Sequence, residues 1–309
     1  MKDRIYDILV IGGGPAGYTA ALYGVRSGFS VAVLEKLSPG GQMAATGEIE
    51  NYPGFPDPVD GFELGERMQA GAERFGAETV YADVQGFDFT AEPKKVLTSE
   101  GEFLGRAIIL CMGASARQLG LPRETELTGR GVAYCAHCDG QFYKDKCAVV
   151  NGGGNSAAGD ALYLARICRE VHLVHRRDTL RAAPLYLRRL KEAGVRIHWN
   201  TAITAIEGEK KVSGVRLRNV LTGATEELPC DALFISIGRK PETELVAGKV
   251  ALDGAGYIVA GEDTKTSVPG VFAAGDIRTK ALRQIITAAA DGACAAHAAE
   301  LWLADRAGA

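Results

Sequence analysis

Cys135 and Cys138 stand three positions apart in the stretch YCAHCDG, with His137 between them and Asp139 directly after the second sulfur. Thiols at this spacing can hold a metal, staple a loop, or cycle between dithiol and disulfide. A zinc site needs about four ligands, usually a second cysteine pair or a spaced histidine pair. The five histidines, at 137, 172, 175, 198 and 297, supply no such partner set, so no metal site is expected. The seven cysteines are an odd count without the spacing of a secreted disulfide framework. A redox pair is the remaining reading, since so short a loop adds little loop-closure stabilisation and leaves the bond reducible. Asp139 is placed to pass protons to a thiolate and serves equally well as a turn or cap residue. A charged His137 would favour the thiolate, whereas a residue at the centre of the turn is also a plain exposed bystander.

A dithiol needs a source of electrons, and the elements around it supply two nucleotide sites. The opening stretch DILVIGGGPAGYTAALYGVRSGFSVAVLEK predicts a strand, a Gly12-x-Gly14-Pro15-x-Gly17 turn, a helix with Gly17, Ala20, Ala21 and Gly24 inward, and a second strand ending at Glu35. The first glycine permits the tight turn and the second admits a pyrophosphate to the backbone amides. The third packs helix on strand, and the closing acid accepts hydrogen bonds from a ribose. The plan recurs in CAVVNGGGNSAAGDALYLARICREVHLVHRRDTLR, with Gly152-x-Gly154-Asn155-Ser156-Ala157 as the turn and Ala157, Ala161, Leu164, Ala165 and Cys168 expected inward. His175 occupies the place of Glu35, followed by Arg176, Arg177 and, one turn on, Arg181. Guanidinium groups chelate the 2′-phosphate that an acid would repel, so the second site reads as one for NADPH. A flavin exchanges electrons with both a nicotinamide and a thiol pair, which makes FAD the natural occupant of the first site.

Each nucleotide unit is followed by polar, alternating segments (79 to 105 and 201 to 229) and an apolar strand closing on glycine (107 to 113 and 232 to 238). The tail adds the strand VPGVFAAGDI and a small-residue helix from about 284 to 303. The fold class expected is α/β, with two Rossmann-like dinucleotide-binding domains in three ββα layers, the second inserted in the first. The boundaries are 1–115 for the first part of the FAD domain, 116–244 for the NADPH domain with its CxxC, and 245–309 for the remainder. The 309 residues and 47% apolar content suit two such domains. A net charge of −3 gives no footprint for nucleic acid or an anionic membrane. No apolar run is long enough to span a bilayer and no signal peptide precedes the first strand, so the expected location is cytoplasmic.

These motifs together resemble the low-molecular-weight, bacterial-type thioredoxin reductases nearly end to end. The resemblance rests on GGGPAG (12 to 17), GGQMAATGEIENYPGF (40 to 55), YCAHCDG (134 to 140), GGGNSA (152 to 157), HRRDTLRA (175 to 182) and FAAGDIRTKALRQIITAAADG (272 to 292). It implies a homodimeric FAD enzyme that reduces thioredoxin with NADPH, its inserted domain rotating between two arrangements. By position it implies that Cys138 faces the flavin, that Cys135 attacks the thioredoxin disulfide, and that Asp139 is the acid. Glu35, Gly41, Gln42, Asn51 and the segment from Asp276 to Ile285, with Arg283 and Gln284, would hold FAD; Arg176, Arg177 and Arg181 would hold the 2′-phosphate. Three features depart from the family pattern: His137 where Thr is frequent, Gly159-Asp160 in place of an acidic pair, and Arg239-Lys240-Pro241-Glu242 after the second closing strand. A reductase of ferredoxin or flavodoxin would not need the two cysteines, a peroxide-reductase flavoprotein needs an extra thiol domain, and a redox sensor would not need the second basic site.

Overall fold

The computed structural model describes residues 4–45 and 48–307. Thr46 and Gly47, part of the 40-to-55 motif, lie outside the described residues. Two compact units are present: one runs up to Ser115 and resumes at Lys240, and the other spans Ala116–Arg239.

The first unit is built on a seven-stranded sheet. Ile5–Ile11 lies between Val31–Glu35 and Gly101–Leu110, all parallel, and Val31–Glu35 pairs in turn with Glu78–Tyr81. The central strands are apolar at nearly every position because both faces are covered. Ile8, Val10, Val33 and Ile109 pack under the helices Pro15–Arg26 and Ile285–Ala307, while Leu9, Ile11, Leu34 and Leu110 meet Phe87, Val246 and Ile258 on the other side. Gly101–Leu110 is one ten-residue strand, joining what the sequence reading separates into a polar segment and an apolar closer. Its outer edge pairs antiparallel with Lys94–Thr98 and then Val84–Asp88. Val271–Ala273, some 160 residues downstream of its neighbour, adds to Ile108–Leu110 in parallel, so the tail strand completes the first sheet.

The second unit repeats the plan with five parallel strands in the order Val132–Ala133, Ala232–Ser236, Cys147–Gly152, Glu170–Val174, Arg196–His198. A three-stranded antiparallel sheet, Thr201–Glu207, Gly214–Asn219 and Thr225–Pro229, covers one face. Its helix Asn155–Leu164 is shorter than expected. Ala165 is the C-cap and the following turns carry Arg169 N–H back to the Lys146 carbonyl. Cys168 is therefore outside the helix, with its thiol on the Tyr143 carbonyl.

The chain leaves the first unit at Ser115 and returns at Lys240, five residues before the 244/245 boundary of the sequence reading. The difference has a cause: Glu242 N–H donates to the Gly113 carbonyl, and the Ser115 hydroxyl donates to the Glu242 carboxylate at 2.7 Å. Those bonds tie residues 240–244 to the first unit.

Candidate functional site

The first nucleotide turn is shaped by steric exclusion. Gly12 has φ +103°, and a Cβ there would lie 2.7 Å from the Cys111 carbonyl oxygen. A Cβ on Gly17 would collide with the Gly12 carbonyl, so strand and helix meet only through glycine. Gly14, in contrast, faces open space: the nearest atom to an added Cβ is the Gly40 carbonyl oxygen at 4.0 Å. No side chain caps the helix that Pro15 opens, and the amides of its first turn face that space. Glu35, at the end of its strand, accepts Gly13 N–H at 2.6 Å and Leu37 N–H at 3.0 Å, so it fixes the turn as well as ending in it.

Around this cradle Gly40 N–H donates to the Gly13 carbonyl, and Gly41 sits with φ +57° against Gly14. Gln42 donates to the Ala114 carbonyl, and Asn51 donates to Gln284 at 3.2 Å. Arg283 lies over the Tyr257 ring at 4.1 Å and donates to the carbonyls of Asp276 and Arg278, which makes it a brace of the 276–285 segment. Ile285 begins the last helix. A network that the sequence reading does not identify holds this segment from below. Buried Asp291 accepts from Gly275 N–H (3.0 Å), from Arg278 in bidentate fashion (2.8 and 2.7 Å) and from Lys280 (2.8 Å). The sequence signal for it is Asp291 as the one acid in the small, apolar first half of the last helix (285–296), following the cations Arg278 and Lys280. The open glycine, the uncapped helix and the acid beside them fit a dinucleotide such as FAD.

The second turn has the same construction. Gly152 lies against Ser236 and Ala157, while an added Cβ on Gly154 meets nothing within 4 Å. Asn155 accepts Ala183 N–H, and Arg181 and Ala182 N–H both reach the Gly153 carbonyl, folding the 181–183 loop over the glycine turn. Asn155 and Ser156 are exposed at the uncapped helix start. Arg176, Arg177 and Arg181 are exposed and form no ion pair among the described residues, leaving three guanidinium groups for an anion. His175 behaves differently. It is buried with its ring against Gly153, and burial holds it below the ordinary histidine range, so it packs rather than contributing a charge.

Cys135 and Cys138 form a disulfide with Cα atoms 5.3 Å apart. Cys135 is the N-cap of a one-turn helix, Ala136–Asp139, and its carbonyl accepts the N–H of Cys138 and of Asp139. Ala136 is buried and fixes the turn, leaving both sulfur-bearing residues partly exposed and His137 outermost. Burial raises the Asp139 carboxyl to about 6, so a protonated acid stands beside Cys138 at mildly acidic pH. Two of the other cysteines contrast with this pair: burial raises the thiols of Cys168 to about 11 and Cys230 to about 12, which disfavours their thiolate forms. Of the departures, Asp160 accepts the Ser236 hydroxyl, an added Cβ on Gly159 meets nothing within 4 Å, and Lys240 pairs with Glu244 at 2.5 Å.

The pyridine nucleotide-disulphide oxidoreductase family matches residues 6–292. A thioredoxin reductase of Mycolicibacterium smegmatis is 46% identical over 99% of this chain and 99% of its own length. A bifunctional thioredoxin reductase/thioredoxin of Mycobacterium leprae is 45% identical over 99% of this chain and 68% of its own. The crystal structure of thioredoxin reductase from Streptococcus pyogenes MGAS5005 superposes with a TM-score of 0.90 at 42% identity, covering 97% of this chain and 99% of that one.

Proposed function

The chain belongs to the pyridine nucleotide-disulphide oxidoreductase family, and we propose that it is a thioredoxin reductase, an enzyme that uses NADPH, FAD and the Cys135–Cys138 disulfide to reduce the disulfide of thioredoxin or a thioredoxin-like protein. The observation that carries this is the disulfide at the head of a one-turn helix with a half-buried acid next to it. The thioredoxin fused in the Mycobacterium leprae relative supports the choice of partner.

When bound, FAD supplies two-electron exchange between a nicotinamide and thiols. Gly12, Gly14, Gly17 and Glu35 hold it, with Gly41, Gln42, Asn51 and the 276–285 segment around it. Arg176, Arg177 and Arg181 hold the 2′-phosphate of NADPH. Two electrons and a proton break the Cys135–Cys138 bond and leave one thiol and one thiolate. Cys135 then attacks a sulfur of the partner disulfide, forming a mixed disulfide, and Asp139 gives a proton to a departing sulfur. Cys138 attacks Cys135 in turn, which releases the partner as a dithiol and restores the starting bond. Among the described residues no helix is long and apolar enough to cross a membrane; a cytoplasmic homodimer is the setting the family resemblance supports.

The test is trapping. Reduced Cys138→Ser mixed with oxidised thioredoxin is expected to accumulate a mixed disulfide through Cys135, because nothing remains to resolve it. No covalent adduct, with thioredoxin reduction by the unmodified protein also lacking, would refute the assignment.

A further inference from the structure

Cys147 and Glu170 open two neighbouring parallel strands and stand opposite each other in the register, and His172 follows Glu170 by two positions. Alternation along a strand puts the three side chains on one face, the face on which Val149 and Val174 also pack. The Cys147 Sγ, a Glu170 carboxylate oxygen and a His172 ring nitrogen lie within 4.8 Å of one another. Among the described residues no other three metal-ligating side chains converge in this way. Cys147 and His172 are buried while the Glu170 side chain is 31% exposed, so the cluster opens to solvent past the carboxylate. No spacing motif announces the set, because parallel strand pairing and not nearness in sequence brings Cys147 beside Glu170. The NADPH and disulfide chemistry proposed above uses none of these residues. The glycine turn of the second unit begins at Gly152, the other end of the Cys147 strand, about 17 Å away for five steps of extended chain.

The surroundings of His172 are those of a ligating histidine. Its Nε2 lies 3.1 Å from Glu170 Oε1, close to the roughly 3.3 Å between tetrahedral ligands that each stand about 2.0 Å from a metal. Its Nδ1 lies 2.8 Å from His198 Nε2, and His198 Nδ1 lies 3.4 Å from the Glu226 carboxylate. A ligating imidazole donates its other N–H to an acceptor that fixes ring and tautomer, and His198 backed by Glu226 is in place for that. We propose that Cys147, Glu170 and His172 form a binding site for a zinc-class divalent cation, with His198 as a positioning residue. Thiolate, imidazole and carboxylate together suit a borderline-soft cation, and three of them leave a fourth position for water. The cation takes the place of the proton that the Cys147 thiol donates to the Pro229 carbonyl at 3.6 Å, and that proton leaves to solvent. His172 binds through Nε2 and keeps its own proton on Nδ1, towards His198. Arg196 is the competitor: it holds Glu170 Oε1 at 2.5 Å, although its side chain is 70% exposed and can swing into solvent. Once bound, the cation clips together the first turns of chain in two core strands, so it acts on the stability of the second unit and not on the disulfide.

The experiment is titration of the full chain, stripped with EDTA and in its oxidised form, with cobalt(II) chloride. In that form Cys135 and Cys138 are in their disulfide and offer no thiolate. Every protein in the series carries Cys294→Ser, which removes the exposed thiol. Cobalt is followed by equilibrium dialysis and by its visible d–d bands, which are strong only in tetrahedral sites. The parent protein is expected to bind a single cobalt per chain with a tetrahedral spectrum that zinc abolishes. Zinc should also raise its melting temperature, as any ligand of the folded state does, and leave NADPH titrations unchanged. Cys147→Ser should lose the tetrahedral spectrum, and His198→Gln should bind about ten- to a hundredfold more weakly. Arg196→Ala should bind more tightly, because the competitor for Glu170 is gone. Absence of stoichiometric metal in the parent protein would overturn the proposal, and so would a tetrahedral spectrum that survives Cys147→Ser. If Cys147→Ser fails to fold, the exposed Arg196→Ala decides the matter: a cobalt affinity no tighter than the parent's refutes the site.

Discussion

Single residues in this protein carry chemistry through where their charge is allowed to sit. Asp139 is the plainest case, because burial raises its carboxyl to about 6. The folded state binds this proton more tightly than the unfolded chain, so the stability tied to it is present at low pH and lost as pH rises through about 6. Asp139→Asn is therefore expected to raise stability at neutral pH, by up to about 3 kcal/mol. The gain should vanish towards pH 4, as chemical denaturation at a series of pH values would show. The same variant should slow proton transfer to the thiols, so stability and turnover are expected to move in opposite directions. At the second turn the exposed trio Arg176, Arg177 and Arg181 meets no acid among the described residues. Each charge-assisted bond to a 2′-phosphate contributes about 1.5 to 3 kcal/mol. Arg176→Ala with Arg177→Ala should weaken NADPH binding by tenfold or more and leave NADH nearly untouched, as titration of both cofactors will show. His175 shows what residue type alone does not reveal. It stands in register with the acid of the first site, yet its ring is used to pack on Gly153, a fact fixed by the distance between strand and turn rather than by its place in the motif.

At the level of elements, the two glycine turns were legible because strand, turn and helix follow one another without a break. The inward faces of both helices could be read from the spacing of their small residues. What could not be read were the partners that arrive from far along the chain. Asp291 grips Gly275, Arg278 and Lys280, and Gly65 clears space for Gly40, only after the last helix and the helix Gly61–Glu73 have docked. The end of the second helix at Leu164 was likewise invisible, since Ala165 to Cys168 are residues a helix would accept and the return to Lys146 ends it. The glycines of the first turn also divide by task, and substitution separates the tasks. Gly14→Ala places its methyl in open space, so the apoprotein should fold with an unchanged melting temperature while FAD occupancy falls sharply. Gly17→Ala drives a methyl into the Gly12 carbonyl and should destabilise the apoprotein by several kcal/mol, as an overpacked contact between rigid backbones does. Flavin content after purification and thermal melts of the apoproteins distinguish the two, and equal losses of stability would contradict this division.

On the scale of the whole chain, the insertion was legible as a duplicated plan with a strand and helix left over, while the return point was not, because nothing in Arg239-Lys240-Pro241-Glu242 marks where the hydrogen bonding changes owner. The structure explains how a sheet can be interrupted by more than a hundred residues. Val271–Ala273 closes onto Ile108–Leu110, and the two cut ends of the first unit meet through Glu242 N–H to Gly113 and the Ser115–Glu242 hydrogen bond. The second unit closes its own ends by Arg117 N–H to the Gly238 carbonyl at 3.0 Å. Each unit also has its own buried clusters: Val10, Ile109 and Phe272 belong to the first, and Val150, Leu173 and Phe234 to the second. The seven-stranded sheet of the first unit and the five-stranded sheet of the second are each built only from that unit's own strands, and chain ends that already touch make excision inexpensive in loop entropy. Joining Ser115 to Lys240 through a short glycine-serine linker should thus give a folded protein that purifies yellow with FAD and ignores NADPH. Residues 116–239 alone should fold, bind NADPH in preference to NADH, and carry the Cys135–Cys138 pair without colour. Cooperative melts, flavin absorbance and nucleotide titration of the two halves check this, and an unfolded first half or a flavin bound to the second would show that the nucleotide sites have been assigned to the wrong units.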